Sequence, residues 1–140
     1  IITTTIEHAA ITSILNYYLN KKQIECTFLA VNTLGYIDIN ELKNALQYNT
    51  CLVTIIHGNN EIGSIQDLNE ISHVIKTYNS NIIFHIDACQ SFLKVHCNYN
   101  VVDYITLNAH KIHGPKGIGL LYGQSIINHQ KKQIFTLKML

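Results

Sequence analysis

"CLVTIIHGNNEIGSIQDLNEISHVIKTYNSNIIFHID", residues 51–87, holds the pattern from which the fold is read. It opens on the nearly all-apolar run "CLVTIIH" and closes on "IIFHID". Both are rich in β-branched residues, and neither alternates apolar with polar, which marks strands buried on two faces. Between them, Leu68, Ile71, Val74, Ile75 and Tyr78 recur at three- and four-residue intervals, the stripe of an amphipathic helix. Two continuous apolar strands joined through a helix predict a parallel pair with a crossover connection.

The same order extends outward. "IITTTI" reads as a strand, followed by a helical stripe at Ile11, Ile14, Leu15, Tyr18 and Leu19. "ECTFLAV" is a second strand, "NTLG" turns the chain, and Asp38-Ile39-Asn40-Glu41 supplies an N-cap with an acidic third position for a helix through Leu46. Past residue 87, "YITLN" and "GIGLLY" read as further strands. The fold class predicted is α/β: a mainly parallel sheet with helices on both faces. At 140 residues, one domain is expected. The opening on Ile1, inside a β-rich pattern, suggests an internal piece of something longer.

Composition narrows the partners. Hydrophobic residues make up 47% and charged residues 14%, against about 25% charged in ordinary soluble domains, so much of the surface expects a cover. A formal charge of +1 without a basic run disfavours nucleic acid and anionic lipid. No apolar run approaches the roughly 20 residues of a membrane span, so a soluble protein is expected. Cys26, Cys51, Cys89 and Cys97 form no C-x-x-C pair. Free, mostly buried thiols in a reducing compartment, cytoplasm or a mitochondrial-type matrix, are expected.

Ligands of such sheets collect beyond the carboxyl ends of the strands. Four polar clusters stand there: Glu7-His8, Asn59-Asn60-Glu61, Asp87 with Gln90, and Asn108-Ala109-His110-Lys111. A lysine amine with a lowered pKa attacks an aldehyde, and Lys111 is placed for that task. A carboxylate ending a strand can pair with a protonated pyridine nitrogen, as Asp87 could. His8 could stack on the ring, with the Asn60 and Gln90 amides near its phenolic oxygen. Each has a plainer reading: Lys111 as a solvated loop lysine, Asp87 as a helix N-cap, His8 and His110 as hydrogen-bonded structural histidines. The spacing of His110 and His113 suits a metal, but no further ligand motif accompanies it. "GPKGIG" lacks the Walker A frame and "GNNEIG" is not G-x-G-x-x-G.

In combination, "TTTIEH", "HGNNEIGSIQD", "FHIDACQS" and "NAHKIHGPKGIGLLY", in this order, closely resemble the cysteine desulfurase family, pyridoxal phosphate enzymes that include the NifS and IscS proteins. The resemblance runs from about Ile1 to Tyr122. It implies the aspartate-aminotransferase-like large domain, pyridoxal phosphate fold type I, here incomplete: residues 1–140 would be part of the cofactor-binding domain, without the small C-terminal domain. It further implies that Lys111 holds pyridoxal 5'-phosphate covalently and later moves protons, while His8 stacks on the pyridine ring. Asp87 would pair with the ring nitrogen, Asn60 and Gln90 would reach its phenolic oxygen, and Asn108 and His110 would help bind its phosphate. The implied reaction converts L-cysteine to L-alanine and passes sulfur to an enzyme persulfide, for iron-sulfur cluster assembly or tRNA thiolation. Implied partners are a sulfur-acceptor or scaffold protein and a second copy of the full-length chain.

Departures qualify this. Asn108 stands where the family commonly has a serine, and Cys89 where it usually has a small residue. Lys116 in "GPKG" resembles the NifS and IscS branch more than the SufS branch. The family's phosphate loop should precede Ile1, and its sulfur-accepting cysteine loop and substrate arginine should follow Leu140. The chain contains no arginine, so this fragment alone is expected to be inactive. Two other readings stand beside it: a related fold-type-I lyase or aminotransferase without sulfur transfer, and a non-catalytic degenerate fragment.

Overall fold

Every apolar run singled out above forms a strand in the computed structural model, which describes residues 1–123 and 133–138. In chain order the strands are β1 (Ile2–Thr4), β2 (Thr27–Leu29), β3 (Leu52–Ile56), β4 (Ile83–Asp87), β5 (Tyr104–Asn108), β6 (Ile118–Gly123) and β7 (Gln133–Lys138). The helices are α1 (Ala9–Asn20), α2 (Ile39–Ala45) and α3 (Leu68–Tyr78), with short 3-10 turns at Tyr99–Val101 and Ala109–Lys111. The strands hydrogen-bond in the order β2-β1-β3-β4-β5-β6-β7. The first five are parallel, while β5–β6 and β6–β7 are antiparallel. The expectation of a mainly parallel sheet is met, and it omitted both the reversal at β6 and the seventh strand.

One face of the sheet carries the core. Val53 lies opposite Phe84, and Ile55 is in register with Ile86, which is in register with Ile105. These residues and Ile2 pack with Leu42 of α2 and with Leu68, Ile71, Val74 and Ile75 of α3. Each fully buried aliphatic side chain stabilises the fold by about 1.5–3 kcal/mol. Tyr78 ends the predicted stripe and is exposed. Asp38 caps α2 by accepting from the Asn40 N–H, and Asp67 caps α3 by accepting from Asn69 and Glu70.

The other face is polar at its centre. Thr54 Oγ1 lies 2.7 Å from His85 Nδ1, and His85 Nε2 lies 2.7 Å from Thr106 Oγ1, so one imidazole bridges three strands. Burial holds its pKa down to about 4, with a smaller upward pull from Asp87, and the ring is neutral. From β1 the chain crosses to β2, then returns past β1 to β3 and onward to β4. Right-handed crossovers running in opposite directions put α1 on the opposite face from α2 and α3. Of the predicted α1 stripe, Leu15 is buried whereas Ile14 and Tyr18 are exposed. The cysteines correct another expectation: all four are free, but Cys51 is exposed and the other three are only half-buried.

Candidate functional site

Parallel strands running the same way deliver their carboxyl ends to one edge, and the order β1-β3-β4-β5 brings four polar clusters side by side there. Asp87 is the last residue of β4 and is buried. No helix follows it. Its carboxylate instead accepts the Cys89 N–H at 2.9 Å, while Ala88 N–H crosses to the Thr106 carbonyl. The adjoining strand, β5, ends at Asn108 and runs directly into the turn that carries His110 and Lys111. Asp87 and Lys111 therefore leave neighbouring strands.

Lys111 is exposed and makes no hydrogen bond among the described residues. The turn beneath it is tight. Both Ile112 and Gly114 donate to the Ala109 carbonyl, and a Cβ on Gly114 would stand 2.8 Å from that of Ala109. His113 and Gly117 take left-handed φ values of 63° and 78° around Pro115. His110 is exposed. Asn108 is half-buried, and its Oδ1 is buried without a partner.

The Cys89 thiol feels both charged groups. Burial first, and then the Asp87 carboxylate, push its thiol far above the ordinary cysteine range, and the opposing pull of Lys111 is weaker. The thiol is held protonated and is a poor nucleophile. Gln90 is half-buried and accepts from Lys94 Nζ at 3.2 Å, which leaves its amide N–H groups to donate elsewhere.

His8 follows β1 as the N-cap of α1. Its Nδ1 accepts the Ala10 N–H at 3.2 Å, which leaves Nε2 to carry the proton of the neutral ring. The two adjacent asparagines divide their work. Asn59 Nδ2 donates to the Ile6 carbonyl, and its Oδ1 accepts from Glu61 and Ile62, so it fastens the loop to the segment before His8. Asn60 is exposed and makes no hydrogen bond within the described chain.

Two residues carried no assigned role in the sequence reading: His85, at the middle of β4, and Glu7, at the strand-end edge. Glu7 Oε1 accepts from Thr4 Oγ1 and, at 2.8 Å, from the Ile56 N–H at the end of β3. Burial lifts its carboxyl to about 7, with a small further push from Asp87 and against the pull of both hydrogen bonds. The available signal was its place beside His8 at a strand end. A separate cleft of about 300 Å3 opens at the opposite edge of the sheet, among Ile1, Glu25, Cys26, Asn49, Thr50 and Cys51, and contains none of the candidate residues.

Known proteins resemble this chain in sequence and in fold. A mitosomal cysteine desulfurase of Trachipleistophora hominis is 41% identical over 124 residues, covering 87% of this chain and 27% of that protein. A cysteine desulfurase IscS of Buchnera aphidicola is 45% identical over the same length, covering 30% of that protein. The chain thus spans less than a third of these relatives. Among solved structures, a NifS-like protein superposes with a TM-score of 0.84 at 34% identity, covering 90% of this chain and 35% of that one. SspA in complex with cysteine superposes with a TM-score of 0.78 at 36% identity, covering 86% and 34%. The family model described as aminotransferase class-V matches residues 1–136, and the chain belongs to the class-V aminotransferase family.

Proposed function

We propose that the protein containing this chain is a pyridoxal phosphate-dependent cysteine desulfurase, and that this chain is the cofactor-binding centre of its large domain. The observation that carries the reading is the pairing of a buried carboxylate, Asp87, with an exposed amine, Lys111, at the ends of adjoining strands. Relatives more than 40% identical bear that activity in their names, which supports it.

The residues present fit the cofactor. Asp87 has one oxygen satisfied by a main-chain N–H and a charge suited to a protonated ring nitrogen. Asn108 is half-buried with its Oδ1 buried and unpartnered, and turning the amide about its last torsion exchanges the places of its oxygen and its N–H donors, which suit a phosphate. When bound, pyridoxal phosphate supplies an electron sink that stabilises negative charge on the amino-acid carbon skeleton. Lys111 Nζ would hold the cofactor and then carry protons to and from the substrate carbons. His8 would cover one face of the ring, Asn60 and Gln90 would donate to its phenolic oxygen, and His110 would join Asn108 at the phosphate. Overall, L-cysteine and an enzyme thiol give L-alanine and an enzyme persulfide, with sulfur moving from carbon to sulfur and a proton replacing it on carbon. The guarded thiol of Cys89 is unsuited to be that acceptor.

Borohydride reduction of the complete protein with its cofactor, followed by peptide mapping, tests the assignment. The label is expected on Lys111, which follows the strand end directly. A label on Lys116, beyond Pro115, would overturn it.

A further inference from the structure

Strand β1 is too short for its neighbour. The register that pairs Ile2 with Val53 sets Thr4 opposite Ile55, so β1 ends before it can serve Ile56. The Ile56 N–H points to that side, because the next N–H, of His57, goes to the Asp87 carbonyl on the other. Its acceptor is the side chain of Glu7 at 2.8 Å. The same oxygen takes the Thr4 hydroxyl, at the end of β1. The neighbouring main-chain carbonyl, of Ile6, takes the Asn59 side chain from the loop after β3. Two bonds thus fasten residues 6 and 7 to β3 and the loop after it, and His8 comes next. Ile56 is itself in register with Asp87, so Glu7, Ile56 and Asp87 follow one another across the sheet edge.

We propose that Glu7 is a positioning residue: its carboxyl group replaces the missing continuation of β1, ties the turn carrying His8 to β3, and so fixes the His8 ring at the same edge as Asp87. The inference rests on the reading of His8 as the ring that covers the cofactor. Glu7 Oε2 is buried without a partner, which makes the tie depend on Oε1 alone. The titratable groups around it are few. Asp87 is the charged group whose field reaches it. His57 is turned to Ser91, with Nδ1 and Oγ 2.7 Å apart, and burial keeps its pKa low. His8 is occupied with the Ala10 N–H.

The test compares Glu7→Ala, Glu7→Asp and Glu7→Gln in the complete protein. Aspartate is one methylene too short to reach Ile56, whereas glutamine retains an acceptor oxygen at the same reach. In cofactor-free protein, Glu7→Ala and Glu7→Asp should speed amide exchange at Ile56 by about tenfold or more and shift the imidazole NMR signals of His8, since a buried donor loses its acceptor. Glu7→Gln should restore both. With pyridoxal phosphate bound, the first two should weaken the circular dichroism of the cofactor band and lower kcat more than they raise KM. Wild-type exchange at Ile56 and wild-type His8 signals in Glu7→Asp would overturn the proposal, and that variant decides the matter where Glu7→Ala fails to fold. A wild-type protein without a cofactor band would instead refute the functional reading, while exchange at Ile56 and the His8 signals would still report on the tie.

Discussion

Asp87 and Glu7 are two buried or half-buried carboxyl groups on one sheet edge, and their surroundings assign them different work. Asp87 accepts a main-chain N–H and leaves its other oxygen for a cationic partner. Asp87→Asn should therefore leave Lys111 open to borohydride labelling while lowering turnover by about a hundredfold or more, the scale of losing one preorganised electrostatic contact. Turnover equal to wild type would remove Asp87 from its role. Glu7 behaves in the opposite sense. Its folded value of about 7 lies above the ordinary 4.5, so between those two pH values the unfolded chain ionises first and stability falls as pH rises. Below 4.5 both states are protonated, and above 7 the loss is complete, at about 3 kcal/mol. Amide protection in β1 and β3, measured from pH 4.5 to 8, should decline in the wild type and stay level in Glu7→Gln. Parallel profiles would show that Glu7 does not titrate there.

At the scale of elements, α3 is joined to the sheet by more than its apolar stripe. Lys76 Nζ meets Asp103 Oδ2 at 2.6 Å and also donates to the Ile82 carbonyl, while that same Asp103 oxygen accepts the Phe84 N–H of β4. Asp103→Ala leaves a half-buried ammonium without its counter-charge and the buried Phe84 N–H without its side-chain acceptor. It should cost about 3 kcal/mol in urea unfolding of the complete protein, and a change under 0.5 kcal/mol would contradict this reading. Nothing in the sequence spacing announced that pair, because residues 76 and 103 meet only through the tertiary fold. The strands were legible for the opposite reason. β3, β4 and β5 are apolar runs bounded by polar turns, a pattern carried in the chain itself, with β3 buried almost throughout and β4 and β5 alternating buried with more open positions. The reversal at β6 was not legible, since "GIGLLY" looks the same in either direction, and β7 lies in "QKKQIFTLKML", whose charges obscure a strand. Lys111, Asp87, Gln90 and Asn108 were singled out as candidates from their places at or just after strand ends. Glu7 was named in a cluster without a role and His85 was not named, because their contacts depend on neighbours from β3 and β5.

For the molecule as a whole, the proposed function sets Glu7, His8, Asp87 and Lys111 along one edge of the sheet. Ile14, Tyr48, Leu34, Ile62 and Leu93 are all exposed, with Leu34 at 70% and Leu93 at 75%. Large exposed apolar side chains favour association wherever they form a contiguous patch. On the proposed function a cation would hold the substrate carboxylate, and residues 1–140 contain no arginine for that task. Rapid chemistry needs the substrate carboxylate and the cofactor phosphate held in place, and either loss forfeits much of the gain from orientation. Purified residues 1–140, mixed with pyridoxal phosphate, L-cysteine and a reductant, should form alanine no faster than free cofactor does, and should self-associate in sedimentation. Cys89 does not rescue the reaction, because burial beside Asp87 keeps its thiol protonated. Alanine formation well above the free-cofactor control, abolished by Lys111→Ala, would show that this edge of the site suffices for catalysis and that the remaining parts serve only to speed it.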